Sequence, residues 1–421
     1  MSFVTNTNWQ NYAGEVALSN AAQMIGLTVQ NFLSAASGIA IMAAFIRGLV
    51  RHTVKTIGNF WVDTTRSVLY ILLPFSCVLA IALVSQEVVQ TLSPSVEAAL
   101  VQPFVNTQGE FIDKQTIALG PVASQVAIKH LGTNGGGFMN ANASHPFENP
   151  TPISNFLLIL AETIIPASLT YTFGKMVGDS RQGWAVLAAM ILLLGLMVGL
   201  TYAAEAHGNP CLTRMGVDQT ATVTQPGGNM EGKEMRFGVA PSALFASVTT
   251  ATSSGAVNSM HDSYTPLAGL VLMVLMQLGE VVLGGVGSGM YGMLVFVIVA
   301  VFIAGLMVGR TPEYLGKKIE PFEIKMSALI ILIMPLTVLG LSALAVSTEV
   351  GRASISNPGS HGLSQVLYAF TSMGNNNGSA FAGLSGNTIF FNFTGALAML
   401  ISRFWLAIPT SKPQMMGKNL G

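Results

Sequence analysis

Apolar segments of about 20 residues recur along the chain, and they limit its possible folds more than any other feature. Residues 24–46, 67–84, 184–204, 293–309 and 328–346 are examples. A helix of about 20 residues spans the hydrocarbon core of a bilayer. Only 9% of the residues are charged, against about 25% in a typical soluble domain. The sequence therefore predicts an all-α integral membrane protein with about seven transmembrane spans.

The basic residues are unevenly distributed among the loops. Of the 19 Lys and Arg residues, most lie in the loops at 47–66, 175–181 and 310–325 and in the C-terminal part of the chain. Cytoplasmic loops carry such an excess, so we predict that the longer loops at 86–120 and 205–240 face the outside. Acidic and basic residues balance at 19 each, which does not favour a nucleic-acid partner.

A short polar cluster occurs four times between apolar segments, with spacings of 127, 120 and 123 residues. We call these clusters the quartets: Thr5-Asn6-Thr7-Asn8, Gly132-Thr133-Asn134-Gly135, Thr252-Ser253-Ser254-Gly255 and Asn375-Asn376-Asn377-Gly378. So regular a period indicates one structural unit used four times. It divides the chain into a partial first repeat (1–60), a second (61–180), a third (181–322), a partial fourth (323–410) and a divergent tail (411–421).

Three quartets follow an apolar segment that is too short to cross a membrane. Residues 121–132, 241–255 and 362–374 have the character of helices, and twelve helical residues rise only about 18 Å. A half-length helix that ends at a polar turn is typical of a re-entrant pore loop. Non-helical backbone at that depth is tolerated where it lines a water-filled path. We therefore predict a pseudo-fourfold repeat of helix, pore loop and helix.

The quartets supply neutral oxygen atoms. Each short helix directs the partial negative charge of its C-terminus at a quartet, and glycine permits backbone angles that turn carbonyl groups inward. No quartet contains a carboxylate, the ligand that a divalent cation prefers. Four such turns around one axis predict a filter that replaces the hydration shell of a monovalent cation. The alternative is four ordinary polar turns, which the regular period disfavours.

The apolar stretch from Pro266 to Arg310 is too long for one span. As one helix it would measure about 67 Å, twice the membrane thickness. We predict a break at Gly284-Gly285-Val286-Gly287-Ser288-Gly289, which either gates the pore or serves helix packing through small residues. Three charged residues also lie in apolar segments, where charge is usually functional or paired: Glu162, Glu280 and Arg403.

Two glycine-rich runs imitate nucleotide-binding motifs. The run at 227–234 ends in Lys-Glu rather than Lys-Ser or Lys-Thr, and the run at 287–292 lies in a membrane span. Neither follows a predicted strand, as such motifs require. We therefore expect no catalytic site and no bound nucleotide in this chain. The two cysteines, Cys77 and Cys211, are far apart in unlike segments, and we expect no disulfide.

Several segments closely resemble the A subunit of the bacterial Kdp potassium-transporting ATPase (KdpA), over roughly residues 2–408. They are SFVTNTNWQ, LGTNGGGFMNANASHPFENPTP, NMEGKEMRFG, MHDSYTPLAG, GEVVLGGVGSGMYG, GRTPEYLGKKIE and NNNGSAFAGL. The resemblance implies a place in the superfamily of potassium transporters and in the bacterial inner membrane. It further implies a subunit of an ATP-driven, high-affinity importer of K+. The implied partners are a P-type ATPase catalytic subunit (KdpB), a small subunit (KdpC) and a one-span peptide (KdpF).

The resemblance also assigns roles to individual residues. It makes the four quartets the potassium filter, with Asn8 at the position where the others carry Gly135, Gly255 and Gly378. It places Gln10 near the filter exit and the tunnel towards the ATPase subunit. The glycine break after Glu280 then corresponds to the intramembrane loop that blocks direct passage, and Arg403 helps to close that route.

The chain departs from the family pattern at both ends. Four residues precede the first quartet, so we expect that this quartet lacks its pore helix, and we count fewer spans than the family has. Two alternatives remain at this stage. One is a Trk/Ktr-type potassium channel or symporter, which the segment GRTPEYLGKKIE disfavours. The other is a non-conducting, truncated fragment of the pump subunit.

Overall fold

The computed structural model of the protein describes residues 1–51, 56–93, 95–411 and 418–419. In this part of the chain, six helical segments are long and apolar enough to cross a bilayer: Ala22–Val50, Phe60–Val84, Pro152–Val177, Ser180–Arg214, Ser288–Val308 and Pro321–Ser347. The remaining expected span is the last helix, whose apolar described stretch, Ile389–Trp405, is shorter. The predicted helical membrane fold is therefore confirmed, with six spans that meet both criteria.

The helices are numbered in chain order. They are α1 (Gly14–Ala17), α2 (Val29–Val50), α3 (Phe60–Ser67), α4 (Leu73–Val84), α5 (Val122–Leu131), α6 (Pro152–Val177), α7 (Ser180–Ala206), α8 (Pro210–Arg214), α9 (Val239–Ala251), α10 (Pro266–Gln277), α11 (Ser288–Val308), α12 (Pro321–Ser347), α13 (Glu349–Arg352), α14 (Ser360–Gly374) and α15 (Ile389–Ser411). Two π-helical stretches, Ala22–Thr28 and Val68–Leu72, continue into α2 and α4. Two 3₁₀ turns are Asn142–Ser144 and His261–Ser263.

The loop at 86–120 contains a β-hairpin that the sequence analysis did not predict. Strands β1 (Ser95–Val105) and β2 (Phe111–Ala118) pair antiparallel. The turn between them is formed by Asn106, whose Oδ1 accepts hydrogen bonds from the backbone N–H groups of Gln108 and Glu110. A second small sheet is formed by β3 (Glu313–Tyr314), β4 (Lys317–Lys318) and β5 (Lys418–Asn419). Of the predicted tail, 412–417 and 420–421 lie outside the described residues.

The short helices α5, α9 and α14 each lie between two longer neighbours. Helix α5 packs against α4 and α6, α9 against α7 and α10, and α14 against α12 and α15. Capping explains why α6 begins where it does: Thr151 and Ser154 form a reciprocal capping box, with Pro152 at the first helical position. The same order of long helix, short helix and following helix thus occurs three times, as the predicted repeat requires.

The core lies where the units meet, and the outer faces of the long helices are apolar. Phe45 on α2, Phe173 on α6 and Leu294 on α11 belong to the largest buried cluster and are fully buried. In contrast, Leu192 on α7 is 75% exposed and Ile81 on α4 is 72% exposed. Large apolar side chains in such positions are expected to face lipid rather than water.

Candidate functional site

The four quartets lie in the interior of the molecule. Their twelve polar residues are each at most 5% exposed: Thr5, Asn6, Thr7, Asn8, Thr133, Asn134, Thr252, Ser253, Ser254, Asn375, Asn376 and Asn377. Buried polar groups are costly unless they are hydrogen-bonded or meet a ligand. Residues from both ends and the middle of the chain are therefore gathered into one buried polar region.

The quartets share one unusual backbone pattern. The second and fourth residues of each have a positive φ: Asn6 (65°) and Asn8 (53°), Thr133 (47°) and Gly135 (69°), Ser253 (52°) and Gly255 (82°), Asn376 (53°) and Gly378 (99°). Left-handed angles are uncommon for residues other than glycine, and they persist where the surrounding structure holds them. When left-handed and right-handed backbone conformations alternate, successive carbonyl groups point towards the same side of the chain.

Close contacts between the quartets arrange them in a ring. A Cβ atom added to Gly135 would lie 1.8 Å from the carbonyl oxygen of Ser254, and one added to Gly255 would lie 1.8 Å from that of Asn377. One added to Gly378 would lie 2.0 Å from the carbonyl oxygen of Thr7.

A hydrogen bond supplies the fourth contact, since Asn8 Nδ2 donates to the carbonyl oxygen of Gly135 at 2.9 Å. Each quartet thus contacts the next in chain order, and the fourth contacts the first, which closes the ring.

Three short helices end at the ring. The C-cap residues of α5, α9 and α14 are Gly132, Thr252 and Asn375, the first residues of their quartets. The partial negative ends of these helices therefore point at the region where the quartet carbonyl groups gather. This arrangement favours a cation at the centre of the ring.

The first quartet has no preceding short helix among the described residues, yet it is not loose. A turn of Met1–Val4 leads into it, and the N–H of Thr7 donates to the carbonyl oxygen of Ser2 at 3.0 Å. Asn8 Nδ2 also donates to Oδ1 of Asn31 on α2 at 2.8 Å. Side-chain contacts with α2 thus hold the first quartet in place.

Gln10 lies at a wide mouth on one side of the ring. It lines a cavity of about 640 Å³ together with residues that follow each quartet in the chain, such as Gly136, Val257 and Ser379. Its Oε1 accepts a hydrogen bond from the N–H of Gly137 at 2.8 Å. Gln10 thus lies on the side of the ring where the chain leaves each quartet. Its predicted place near the filter exit and the tunnel stays a prediction.

The long apolar stretch is broken as predicted, although the break begins before the predicted run 284–289 and ends within it. Helix α10 ends at Gln277 and α11 begins at Ser288. The segment between them folds back tightly, since a Cβ atom on Gly284 would lie 1.7 Å from the carbonyl oxygen of Glu280. The N–H of Val286 donates to Oγ1 of Thr133 at 3.0 Å. The break is thus a non-helical loop in direct contact with the second quartet.

Charged and small residues hold this loop in place. Oγ of Ser288 donates to Oε2 of the buried Glu280 at 2.7 Å. Arg403 lies on α15. The Nη1 atom of Arg403 is buried without a hydrogen-bond partner among the described residues. Gly287, with φ +90°, packs directly on the backbone of Gly38 in α2.

Some residues of the site were not found by sequence reasoning. Asn31 and Ser34 on α2 hydrogen-bond the first quartet, and His130 on α5 contacts Glu162. Glu162 stood out as a charge in an apolar segment, but its partners did not. The available signal was the spacing of Asn31 and Ser34, two polar residues three positions apart on one face of the mostly apolar helix α2.

The fold is that of a polytopic helical membrane protein. The potassium transporter TrkH from Vibrio parahaemolyticus matches it with a TM-score of 0.60 at 14% identity, over 96% of this chain and 75% of that chain. So distant a likeness concerns the fold alone. The model of the family "Potassium-transporting ATPase A subunit" (KdpA) matches residues 1–411. The chain belongs to this family.

Curated relatives agree with this family. A protein of Herpetosiphon aurantiacus is 65% identical over 97% of this chain and 71% of its own length. Proteins of Methylococcus capsulatus and Sorangium cellulosum are 58% and 59% identical. Each is described as a potassium-transporting ATPase potassium-binding subunit. The predicted resemblance is therefore confirmed.

Proposed function

We propose that this chain is the potassium-binding and translocating subunit of an ATP-driven, high-affinity potassium importer. The observation that carries the proposal is the closed ring of four quartets, with alternating backbone hands and neutral oxygen ligands. The names of the relatives agree with it. Carbonyl oxygen atoms replace the hydration shell of K+, and the ring is already assembled, so little ordering accompanies binding.

The proposed ion path begins outside the cell. K+ enters through the mouth that Gln10 lines and binds at the quartets. The loop that contains Glu280, Gly284, Gly285 and Gly287, followed by Gly289 in the first turn of α11 and backed by Arg403, closes the direct route to the cytoplasm. A closed loop below the binding site fits a pump, in which release is coupled to a second event.

That second event is assigned to partner subunits. A P-type ATPase catalytic subunit (KdpB) hydrolyses ATP, and KdpC and KdpF complete the complex in the bacterial inner membrane. This chain is proposed as the non-hydrolytic subunit, with K+ as its transported ion.

A potassium channel or symporter of the Trk type is the second candidate. The likeness to TrkH supports it, since the two chains share a fold over 96% of this one. The two candidates differ in energy coupling. Potassium-stimulated ATP hydrolysis by the chain with its co-purifying partners supports the pump, whereas potassium flux without ATP supports the channel.

The filter assignment is tested by Gly255→Asp in the assembled complex. The new side chain would collide with the carbonyl oxygen of Asn377, so we expect the half-saturating K+ concentration to rise about tenfold or more. Gly109→Asp is the matched control, because Gly109 also has a positive φ of 84° but has open space around it. Rubidium uptake at low external concentration that is unchanged by Gly255→Asp would exclude the assignment.

A further inference from the structure

The third residue of each quartet forms a side-chain hydrogen bond to the preceding unit of the ring. Oγ1 of Thr7 donates to Oδ1 of Asn376 at 3.1 Å. Nδ2 of Asn134 donates to Oγ of Ser34 at 3.0 Å. Oγ of Ser254 donates to Oε1 of Glu162 at 2.7 Å, and Nδ2 of Asn377 donates to the carbonyl oxygen of Thr249 at 2.9 Å. We call these four contacts the braces.

One brace differs from the others in its chemistry. Asn376, Ser34 and the Thr249 carbonyl group are neutral acceptors, whereas Glu162 brings a carboxyl group. Glu162 lies on α6, 92 residues before Ser254, and is fully buried. Ionisable side chains inside a membrane protein are costly, and they are usually retained for a function.

Glu162 joins two units at once. Its Oε1 lies 2.9 Å from Nδ1 of His130 on α5, the short helix of the second unit. The His130 ring in turn packs edge-on against Phe245 on α9, the short helix of the third unit, with 6.1 Å between ring centroids. Oε2 of Glu162 and Nε2 of His130 have no hydrogen-bond partner among the described residues. Both side chains are therefore held by this one junction between α5, α6 and the third quartet.

The junction acts on the wall of the ring through Ser254. The carbonyl oxygen of Ser254 is the atom that Gly135 approaches most closely, so it marks the seam between the second and third quartets. The hydroxyl group of the same residue is bonded to Glu162 behind the ring. Fixing that hydroxyl group fixes the orientation of the residue, and hence the position of its carbonyl group at the seam.

We propose that Glu162 is a positioning residue that sets the width of the ring between the second and third quartets, and thereby its preference for potassium over the smaller sodium ion. This inference rests on the proposed function of the ring. Glu162 does not touch the ion; it acts through Ser254, with His130 as the second support. At this seam the hydrogen-bond acceptor is an ionisable carboxyl group, whereas the acceptors at the other three seams are neutral.

The test compares Glu162→Leu and Glu162→Gln in the complete complex, with potassium- and sodium-dependent ATP hydrolysis as readouts. Glu162→Leu removes the acceptor, so we expect the half-saturating K+ concentration to rise about tenfold and the preference over Na+ to fall by a similar factor. Glu162→Gln keeps an acceptor oxygen for Ser254, so it should remain within about threefold of the parent. Maximal hydrolysis and complex yield should change little in either variant.

Thr170→Val is the matched control on the same helix. Thr170 is buried on α6 and, among the described residues, its hydroxyl group bonds only within that helix, to the carbonyl oxygen of Ala167. We expect parental affinity and selectivity from this variant. An effect of Thr170→Val equal to that of Glu162→Leu would overturn the proposal, because the loss of any buried polar group from α6 would then lower the K+ affinity and selectivity.

Ser254→Ala tests the same bond from its other end and removes a single oxygen atom. It should reproduce the shift of Glu162→Leu, and the double variant should show no further shift. The proposal is overturned if assembled Glu162→Leu is parental, if Glu162→Gln is as impaired as Glu162→Leu, or if Ser254→Ala is parental. If the complex with Glu162→Leu does not assemble, the K+ affinity and selectivity of Ser254→Ala decide the proposal. Gly255→Asp distinguishes failure of this proposal from failure of the proposed function. A parental K+ affinity in that variant would exclude the filter assignment itself.

Discussion

Asn8 shows how a single residue substitutes for glycine in the ring. It has the left-handed backbone that Gly135, Gly255 and Gly378 adopt at the same position, and asparagine accepts that conformation better than most residues. Unlike glycine, it also contributes a side chain, whose Nδ2 bonds both Asn31 and the carbonyl oxygen of Gly135. The seam between the first and second quartets is therefore closed by an amide group.

His261 lies outside the membrane-spanning helices and is tied to the fourth unit. Its Nδ1 is 2.8 Å from the hydroxyl oxygen of Tyr368 on α14, and its ring is 1% exposed. Burial, with a smaller contribution from the charge of Lys233, lowers the pKa of His261 to about 3. The histidine is therefore neutral in the folded protein over the whole physiological range.

The lowered pKa predicts a pH-dependent loss of stability. An unfolded histidine titrates near 6.5, so the unfolded state alone gains a proton below that pH. The contribution of His261 is thus complete above about pH 6.5 and is lost as the pH falls towards 3, by about 2 kcal/mol at pH 5. Thermal unfolding in detergent at pH 7 and pH 5 should show a smaller acid-induced shift for His261→Gln than for the parent. His207→Gln, at an exposed histidine, should retain the full shift; an equal shift in all three proteins would contradict the prediction.

Residues of the site could be predicted where a local pattern marks them. The quartets are polar clusters in apolar surroundings, and Glu162, Glu280 and Arg403 are charges in apolar segments. The bonds between them could not be predicted, since Ser254 and Glu162 are 92 residues apart and Asn134 and Ser34 are 100 apart. No local pattern encodes which distant polar groups meet.

At the scale of elements, helix α2 depends on a residue from a distant hairpin. Nζ of Lys317 on β4 donates to the carbonyl oxygens of Gly48 and Arg51 at the C-terminal end of α2, at 2.5 and 2.9 Å. The last carbonyl groups of a helix lack partners within it, and a cation is favourable there. Since α2 carries Asn31 and Ser34, this cap stabilises the helix that holds the first quartet.

Removal of this cap should destabilise the protein measurably. Lys317 is 5% exposed, so Lys317→Met keeps most of the packing but leaves two carbonyl groups without their donor. We expect a loss of about 1–3 kcal/mol in the free energy of unfolding. The midpoint of thermal unfolding in detergent is the measurement. Lys318→Met, at the exposed neighbour on the same strand, should leave the midpoint unchanged, and equal midpoints for the two variants would show that the cap has no effect.

Elements were predicted best where composition and length agree. The half-length helices α5, α9 and α14 and the break between α10 and α11 follow from apolar segments that are too short or too long for one span. The hairpin of β1 and β2 was not predicted, because its alternating residues lie in a loop that was assigned by charge and length alone. The π-helical stretches before α2 and α4 likewise have no signature in the apolar pattern.

At the scale of the whole molecule, the ring joins parts of the chain that are far apart in sequence. The first and fourth quartets are 369 residues apart where Thr7 bonds Asn376, and each unit contributes one wall. The ring therefore exists only in the folded protein, and an ion bound there stabilises the native state but not the unfolded chain. Binding at this place should be visible as a change in global stability.

We expect potassium to raise the thermal unfolding midpoint of the assembled complex. At a concentration about 100 times the dissociation constant, the stabilisation is about 2.7 kcal/mol. Sodium and choline chloride at the same ionic strength control for screening, and they should produce little change. Gly255→Asp should abolish the potassium effect while Gly109→Asp retains it, because only the former blocks the ring. A midpoint that rises equally with potassium and sodium would place the stabilising cation elsewhere, since the proposed potassium filter distinguishes the two ions.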